Sequence, residues 1–213
     1  MRIPFVDLGA QYQKHKVAFD GAINGVIQKS AFIGGDGVRR FEADFASAYG
    51  VKHCISCGNG TDAIYIALRM LGIGPGDEVI TSAASWISTS EAITQTGARP
   101  VFVDVDEFFN IDAQQIEKKI TSATRAILPV HLYGQAADMG RVTELCNMYQ
   151  LKLVEDCAQA HFAEHLGTKA GTFGNAGTFS FYPGKNLGAW GDAGAIVTND
   201  DEFAQQCRMF ANH

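Results

Sequence analysis

The sequence predicts an α/β fold, three layers deep, with helices on both faces of a mainly parallel sheet. The first observation behind this is an alternation of short apolar runs with stretches of helical period between residues 53 and 155, the signature of strands joined by crossover helices. The second is that 213 residues, 46% hydrophobic and 19% charged, supply one large core and no disordered tract. The third is that the polar and glycine-rich motifs follow the ends of the apolar runs, where ligands bind in such sheets.

Taken in order, residues 3–29 carry a helix through Val17, Ile23 and Val26. Residues 36–49 place Val38, Phe41, Phe45 and Ala48 on one helical face, and Gly50 closes that helix. The glycine-rich stretch 32–37 between them reads as a connection or a lid. Strands are expected at 53–57, 78–82, 100–105, 125–130 and 152–155, and helices at 61–71, 88–96, 112–120 and 139–149. The runs 178–182 and 193–198 are separated by a glycine-rich loop without helical period and are read as further strands of the same sheet. Asp200 or Asp201 caps a last helix, in which Phe203, Cys207 and Phe210 are still periodic near the final residue. No repeat, linker or low-complexity tract divides the chain, so residues 1–213 read as one domain with a helical segment over about residues 1–50. The unfinished last helix predicts a truncated chain.

The formal charge of −6 provides no basic footprint for nucleic acid and no polybasic patch for anionic lipid. The partner is expected to be a small molecule. Residues 1–30 contain no signal-peptide core, and no stretch is long and apolar enough to span a membrane. Five scattered cysteines, Cys54, Cys57, Cys146, Cys157 and Cys207, suit a reducing compartment, so a cytoplasmic protein is expected. Cys54 and Cys57 have the spacing of half a zinc site, but no second pair follows and alternation sends them to opposite faces. No metal is expected.

Lys185 is the only cationic residue in the stretch 176–195, on a turn begun by Pro183-Gly184. An apolar surrounding lowers the pKa of a lysine and makes its amine a nucleophile; a solvated turn lysine is the bland alternative. Gly184-Lys185 is not a P-loop, because position 179 is Phe and position 186 is Asn. The run Cys57-Gly-Asn-Gly-Thr-Asp-Ala joins a strand to a helix and offers bare amides and a helix N-terminus to an anion. Gly58, Gly60 and Ala63 also match a dinucleotide pattern, yet the next strand lacks the acid that pattern needs. Trp86 lies in a small polar loop, either as a stacking platform or as a buried structural Trp. His131 ends the strand before it and reads as a satisfied core histidine or a substrate contact. Asp156 ends another strand, either in a structural ion pair or as the partner of a pyridinium nitrogen.

An anion cradle at 58–61, an aromatic at Trp86, a carboxylate at Asp156, a hydroxyl at Ser180 and an amine at Lys185 together meet the needs of pyridoxal 5'-phosphate. Its phosphate would take the cradle and Ser180, its ring Trp86 on one face, its protonated nitrogen Asp156 and its aldehyde Lys185.

With these residues the chain resembles the DegT/DnrJ/EryC1/StrS family of pyridoxal-phosphate sugar aminotransferases. The motifs are Pro4-Phe-Val-Asp-Leu, Gly58-Asn-Gly-Thr-Asp-Ala, Gly74-Pro-Gly-Asp-Glu-Val-Ile, Pro129-Val-His-Leu-Tyr-Gly, Glu155-Asp-Cys-Ala-Gln-Ala and Ser180-Phe-Tyr-Pro-Gly-Lys-Asn. The resemblance implies the large domain of a fold type I transferase, with a C-terminal small domain missing from residues 1–213. It implies Lys185 as cofactor attachment and proton shuttle, Asp156 at the ring nitrogen, Gln159 at the ring hydroxyl, and Gly60, Thr61 and Ser180 at the phosphate. Trp86 takes the stacking position, and His131 and Tyr182 are candidate substrate contacts. Transamination of a nucleotide-linked keto sugar is implied, with glutamate as donor, by a homodimer whose site lies between subunits. Related dehydratases carry histidine in place of the lysine, so Lys185 argues against that branch; a non-catalytic regulatory member would be expected to have lost Lys185 or Asp156. The phosphate loop and the lysine loop look more like those of enzymes that aminate dTDP sugars at carbon 3 than at carbon 4.

Overall fold

A computed structural model describes residues 3–212; Met1, Arg2 and His213 lie outside the described residues. Two helices, α1 (Leu8–Gln28) and α2 (Gly35–Tyr49), precede β1 (His53–Cys57), α3 (Gly60–Met70), β2 (Glu78–Ser82), α4 (Ile87–Gln95) and β3 (Arg99–Val103). Then come α5 (Ala113–Ile116), β4 (Thr124–Leu128), α6 (Met139–Tyr149) and β5 (Lys152–Asp156). A small hairpin of β6 (Glu164–His165) and β7 (Thr168–Lys169) leads to β8 (Ala176–Ser180), β9 (Gly194–Thr198) and α7 (Asp201–Ala211).

Seven strands form one sheet in the order β1-β9-β8-β5-β4-β2-β3. The pairs β2/β3, β2/β4, β4/β5 and β5/β8 are parallel, and β9 runs antiparallel to both β1 and β8. Six strands therefore end on the same edge, and the start of β9 lies there with them. This edge gathers Cys57, Ser82, Asp156, Ser180 and Gly194.

Strand alternation divides the core. Val79, Ala126, Leu128, Val154, Ala176 and Ile196 pack under α3, α4 and α7, whereas Ile80, Ile127 and Leu153 face α5 and α6. Cys54, Phe179, Ala195 and Val197 face the Phe45, Ala46 and Tyr49 side of α2. Every residue of β2, β8 and β9 is buried, as the two-sided cover of a parallel sheet requires. The mainly parallel three-layer fold expected from the alternation is present.

The local chemistry accounts for most element ends. Gly50 closes α2 at φ 73°, donating to the Ala46 and Ser47 carbonyls, and Asp200 caps α7 by accepting from Phe203 N–H at 2.9 Å. Differences are instructive. The buried face of α2 is Phe45, Ala46 and Tyr49, while Val38 and Ala48 are exposed, because Phe45 and Tyr49 pack edge-on with Phe179 and turn the helix toward it. The helix expected over 112–120 is a single α turn followed by a 3-10 turn, Glu117–Lys119. Residues 176 and 177 belong to β8, and 181 and 182 do not. Gly177 is required there because a Cβ would lie 2.4 Å from the Gly171 carbonyl oxygen. Helix α1 exists but has no buried residue; Tyr12 and Phe19 rest on Trp190, with ring centroids 5.2 and 4.9 Å away.

Candidate functional site

The anion cradle forms where β1 hands over to α3. Asn59 caps the helix, its side chain accepting from Asp62 N–H at 2.8 Å and its carbonyl from Ala63 N–H at 3.1 Å. The amides of Gly60 and Thr61 are left without a partner among the described residues, at the positive end of an 11-residue helix. Two glycines let this turn sink onto the sheet. A Cβ on Gly60 would lie 2.7 Å from Ser180 Cβ, and one on Gly194 would lie 2.2 Å from the Asn59 carbonyl oxygen. Thr61 Oγ1 donates to Ser88 Oγ at 2.7 Å, tying the cradle to α4. Ser180 Oγ accepts from Tyr182 N–H at 3.3 Å, so its own hydrogen is free for a ligand.

Asp156 ends β5 on the α3/α4 face. Its Oδ1 accepts from Ala158 N–H at 3.1 Å and its Oδ2 from the Thr89 hydroxyl at 2.9 Å. The backbone is held too: Asp156 N–H donates to the Pro129 carbonyl at 2.9 Å, and the Asp156 carbonyl accepts from His131 N–H at 3.0 Å. Burial pushes the Asp156 carboxyl above the usual range, opposed by the Ala158 and Thr89 bonds and by the Lys185 charge.

Lys185 closes the turn that begins at Tyr182, its N–H donating to the Tyr182 carbonyl at 2.8 Å. Its amine is half-buried, and desolvation lowers its pKa while the Asp156 charge works against that. Among the described residues, Lys185 is the only cationic one lining a cavity of about 710 Å³ between α3, α4 and the ends of β5 and β8. Trp86, 75% exposed, precedes α4 and lines the cavity, as does Tyr182, 60% exposed. Asp62, Glu91 and Asp192 make the remaining wall acidic. The Asp62 carboxyl is raised, first by burial and then by Asp192.

The cavity thus brings together Gly60, Thr61, Trp86, Asp156, Ser180, Tyr182 and Lys185. It does not include His131 or Gln159. His131, expected as a possible substrate contact, is a satisfied core histidine: it is wholly buried, its Nδ1 accepts from Ala137 N–H at 3.1 Å and its Nε2 lies 3.1 Å from Glu155 Oε2. Gln159 Oε1 accepts from Tyr133 N–H at 2.9 Å, outside the cavity lining. Alternation explains the split between adjacent acids. Asp156 faces the cavity, whereas Glu155 points to the opposite face and accepts from Gly171, Phe173 and Gly174 N–H at 2.7, 2.8 and 3.0 Å.

Glu155, His131 and Cys157 also lie close enough together to suggest a metal. The bonding pattern opposes it, since an Nδ1 that accepts puts the ring proton on Nε2, where it donates to Glu155 and offers no lone pair. The sequence reading missed Thr89, whose hydroxyl reaches Asp156; the signal available for it was the run of hydroxyls Ser88-Thr89-Ser90 just after Trp86.

The chain matches the family model of the DegT/DnrJ/EryC1/StrS aminotransferase family over residues 13–213. It is 49% identical, over 214 aligned residues, to a protein of Geobacillus stearothermophilus named pleiotropic regulatory protein, covering 100% of this chain and 58% of that one. It is 45% identical to the dTDP-3-amino-3,4,6-trideoxy-alpha-D-glucose transaminase of Streptomyces venezuelae, covering 100% of this chain and 56% of the relative. The crystal structure of S. venezuelae DesV in complex with a ketimine intermediate superimposes with a TM-score of 0.96 at 46% identity, over 99% of this chain and 57% of DesV. The chain therefore spans between half and two thirds of the length of these proteins.

Proposed function

We propose that this chain, which belongs to the DegT/DnrJ/EryC1/StrS aminotransferase family, is the cofactor-binding part of a pyridoxal-phosphate enzyme that moves an amino group from an amino acid to a nucleotide-linked keto sugar. The observation that carries the reading is the pairing, in one cavity, of Lys185, the only cationic lining residue among the described residues, with the buried carboxylate of Asp156, beside two open helix-end amides.

The residues present fit the cofactor. The cradle that a Cβ on Gly60 would fill suits a phosphate, which the Gly60 and Thr61 amides and the Ser180 hydroxyl would bind. When bound, the cofactor supplies an electron sink for charge developing at the substrate carbon. Asp156 would hold a proton on the ring nitrogen, and its two protein donors favour its ionised form against the effect of burial and orient it for that task. Lys185 would anchor the cofactor and, its amine made less basic by desolvation, would take and return the proton at the substrate carbon. Trp86 would supply the surface on which the ring stacks. Glu91, Gln95, Tyr182 and Asp192 form the part of the cavity left for substrate.

A dTDP-linked 3-keto-6-deoxy sugar is the substrate the reading favours, supported by the named activity of the S. venezuelae relative, with glutamate as the donor that the family resemblance implies. A homodimer is part of the same reading, supported by the exposed Trp86 and Tyr182 that line the cavity, by the exposed Leu187 and Trp190, and by an α1 with no buried residue. The five free thiols are consistent with a cytoplasmic enzyme, and among the described residues no helix is long and apolar enough to cross a membrane. A purely regulatory role, as named for the Geobacillus relative, leaves the Lys185–Asp156 pair without a purpose.

The test uses the full-length protein with dTDP- and UDP-linked keto sugars and a panel of amino acid donors. Ping-pong initial rates, and a stoichiometric change in the cofactor's absorption on adding donor without sugar, are expected. A spectrum indifferent to every donor would overturn the proposal.

A further inference from the structure

The Asp156 carboxylate has a second layer of support that lies wholly in the segment around Trp86. Thr89 is 1% exposed, and its Oγ1 is 2.9 Å from Asp156 Oδ2. The Ser85 hydroxyl is 2.7 Å from the same Thr89 oxygen. The direction of these bonds follows from chemistry. An ionised carboxylate only accepts, so Thr89 spends its single hydrogen on Asp156, and Ser85 must then donate to Thr89. The hydrogens all point one way, toward the carboxylate, and such chains reinforce each other inside a protein.

Ser85 and Thr89 bracket Trp86. The tryptophan side chain has little packing of its own, and Trp86 precedes α4 without a side-chain cap. The two hydroxyls on either side of it are nevertheless bonded to each other and to Asp156. We propose that Ser85 and Thr89 form a positioning relay that sets the orientation of Asp156 and fixes the Trp86 segment against it, so that ring platform and carboxylate are held in one register. The proposal rests on the pyridoxal-phosphate reading of the cavity. Neither residue touches the cofactor; both act through Asp156 and Trp86. The other donor to the carboxylate, Ala158 N–H, lies on Oδ1 and cannot replace the relay on Oδ2.

The experiment compares Thr89→Val, which keeps the branched shape and removes the hydroxyl, with Thr89→Ser, which keeps the hydroxyl, and Ser85→Ala, in full-length protein titrated with pyridoxal phosphate. Thr89→Val should bind the cofactor about tenfold more weakly, since a hydrogen bond to a charged group is lost. The pH midpoint of the bound cofactor's absorption should rise by about one unit, because a less firmly protonated ring nitrogen withdraws less charge from the group joined to Lys185. Thr89→Ser should restore both properties, and Ser85→Ala should shift them in the same direction by a smaller amount. A defect of folding alone would lower thermal stability without moving the absorption midpoint. If wild type binds cofactor and Thr89→Val matches it in affinity and midpoint, the relay is refuted. If wild type binds no cofactor, the functional reading itself fails. Should Thr89→Val not fold, Thr89→Ser and Ser85→Ala decide the matter: an unchanged midpoint in Ser85→Ala, with normal affinity, overturns the relay.

Discussion

Replacing Asp156 by Asn keeps the size of the side chain and removes its charge. In the wild type each carboxylate oxygen takes one protein donor, Ala158 N–H at 3.1 Å and the Thr89 hydroxyl at 2.9 Å. An asparagine oxygen can stay on Ala158, but its amide then faces Thr89, whose hydroxyl must turn round to accept. Two bonds to a charged acceptor, about 1.5–3 kcal/mol each, become neutral ones of about 0.5–1.5 kcal/mol, a loss of about 2–3 kcal/mol in total. Against this stands the relief of no longer burying an ionised carboxylate, and its size depends on pH. Burial holds the Asp156 carboxyl above its ordinary value, so between the unfolded and folded values the folded state binds more protons. The stability contributed by Asp156 is therefore highest below the unfolded value and falls as pH rises through that window. Asparagine has no such fall, so in unloaded protein the variant should gain on wild type between about pH 4 and pH 7. Urea denaturation at those two pH values measures the difference. In loaded protein the outcome reverses: a lost charge-assisted bond weakens cofactor binding about 10- to 150-fold, and turnover falls with it. Turnover and cofactor affinity equal to wild type, together with a stability gap that does not change with pH, would refute the reasoning and leave Asp156 a structural residue.

Borohydride reduction of the cofactor-loaded protein should place the pyridoxyl label on Lys185 in a peptide map; a label on Lys169, which donates to the Ala48 carbonyl, or on Lys152 would overturn the assignment. Gly60→Ala brings a Cβ to 2.7 Å from Ser180 Cβ and 3.2 Å from its Cα; it should cost about 1–3 kcal/mol in thermal stability and weaken phosphate binding, measured by cofactor titration. Glu155→Gln puts an amide nitrogen against two of the four donors that converge on this buried carboxylate; unfolding should lose about 3 kcal/mol and Tm about 6–12 °C. Burial pushes the Cys54, Cys57, Cys146 and Cys207 thiols up to about 12, so a thiol reagent at neutral pH should modify the native protein far more slowly than the urea-unfolded chain.

Taken alone, the sequence determined the layers and the chemistry at their edge. Strands 53–57 and 78–82 and helix 139–149 occur with the expected bounds, because a buried parallel sheet and its crossover helices write their periods directly into the chain. The cradle at Gly60 and Thr61, the carboxylate at Asp156 and the amine at Lys185 were legible for the same reason: each sits just beyond a run whose end marks the ligand-binding edge. The tertiary structure decided which neighbours share a face. His131 and Asp156 both follow apolar strands, but one is spent on Glu155 and Ala137 while the other looks into the cavity. Glu155 and Asp156 are adjacent in the chain and face opposite layers, and which layer holds the cavity depends on the packing of α3 and α4. Thr89 lies 67 residues from Asp156. Local periodicity carries no information about a contact at that separation, which exists only because the sheet order brings α4 over the end of β5.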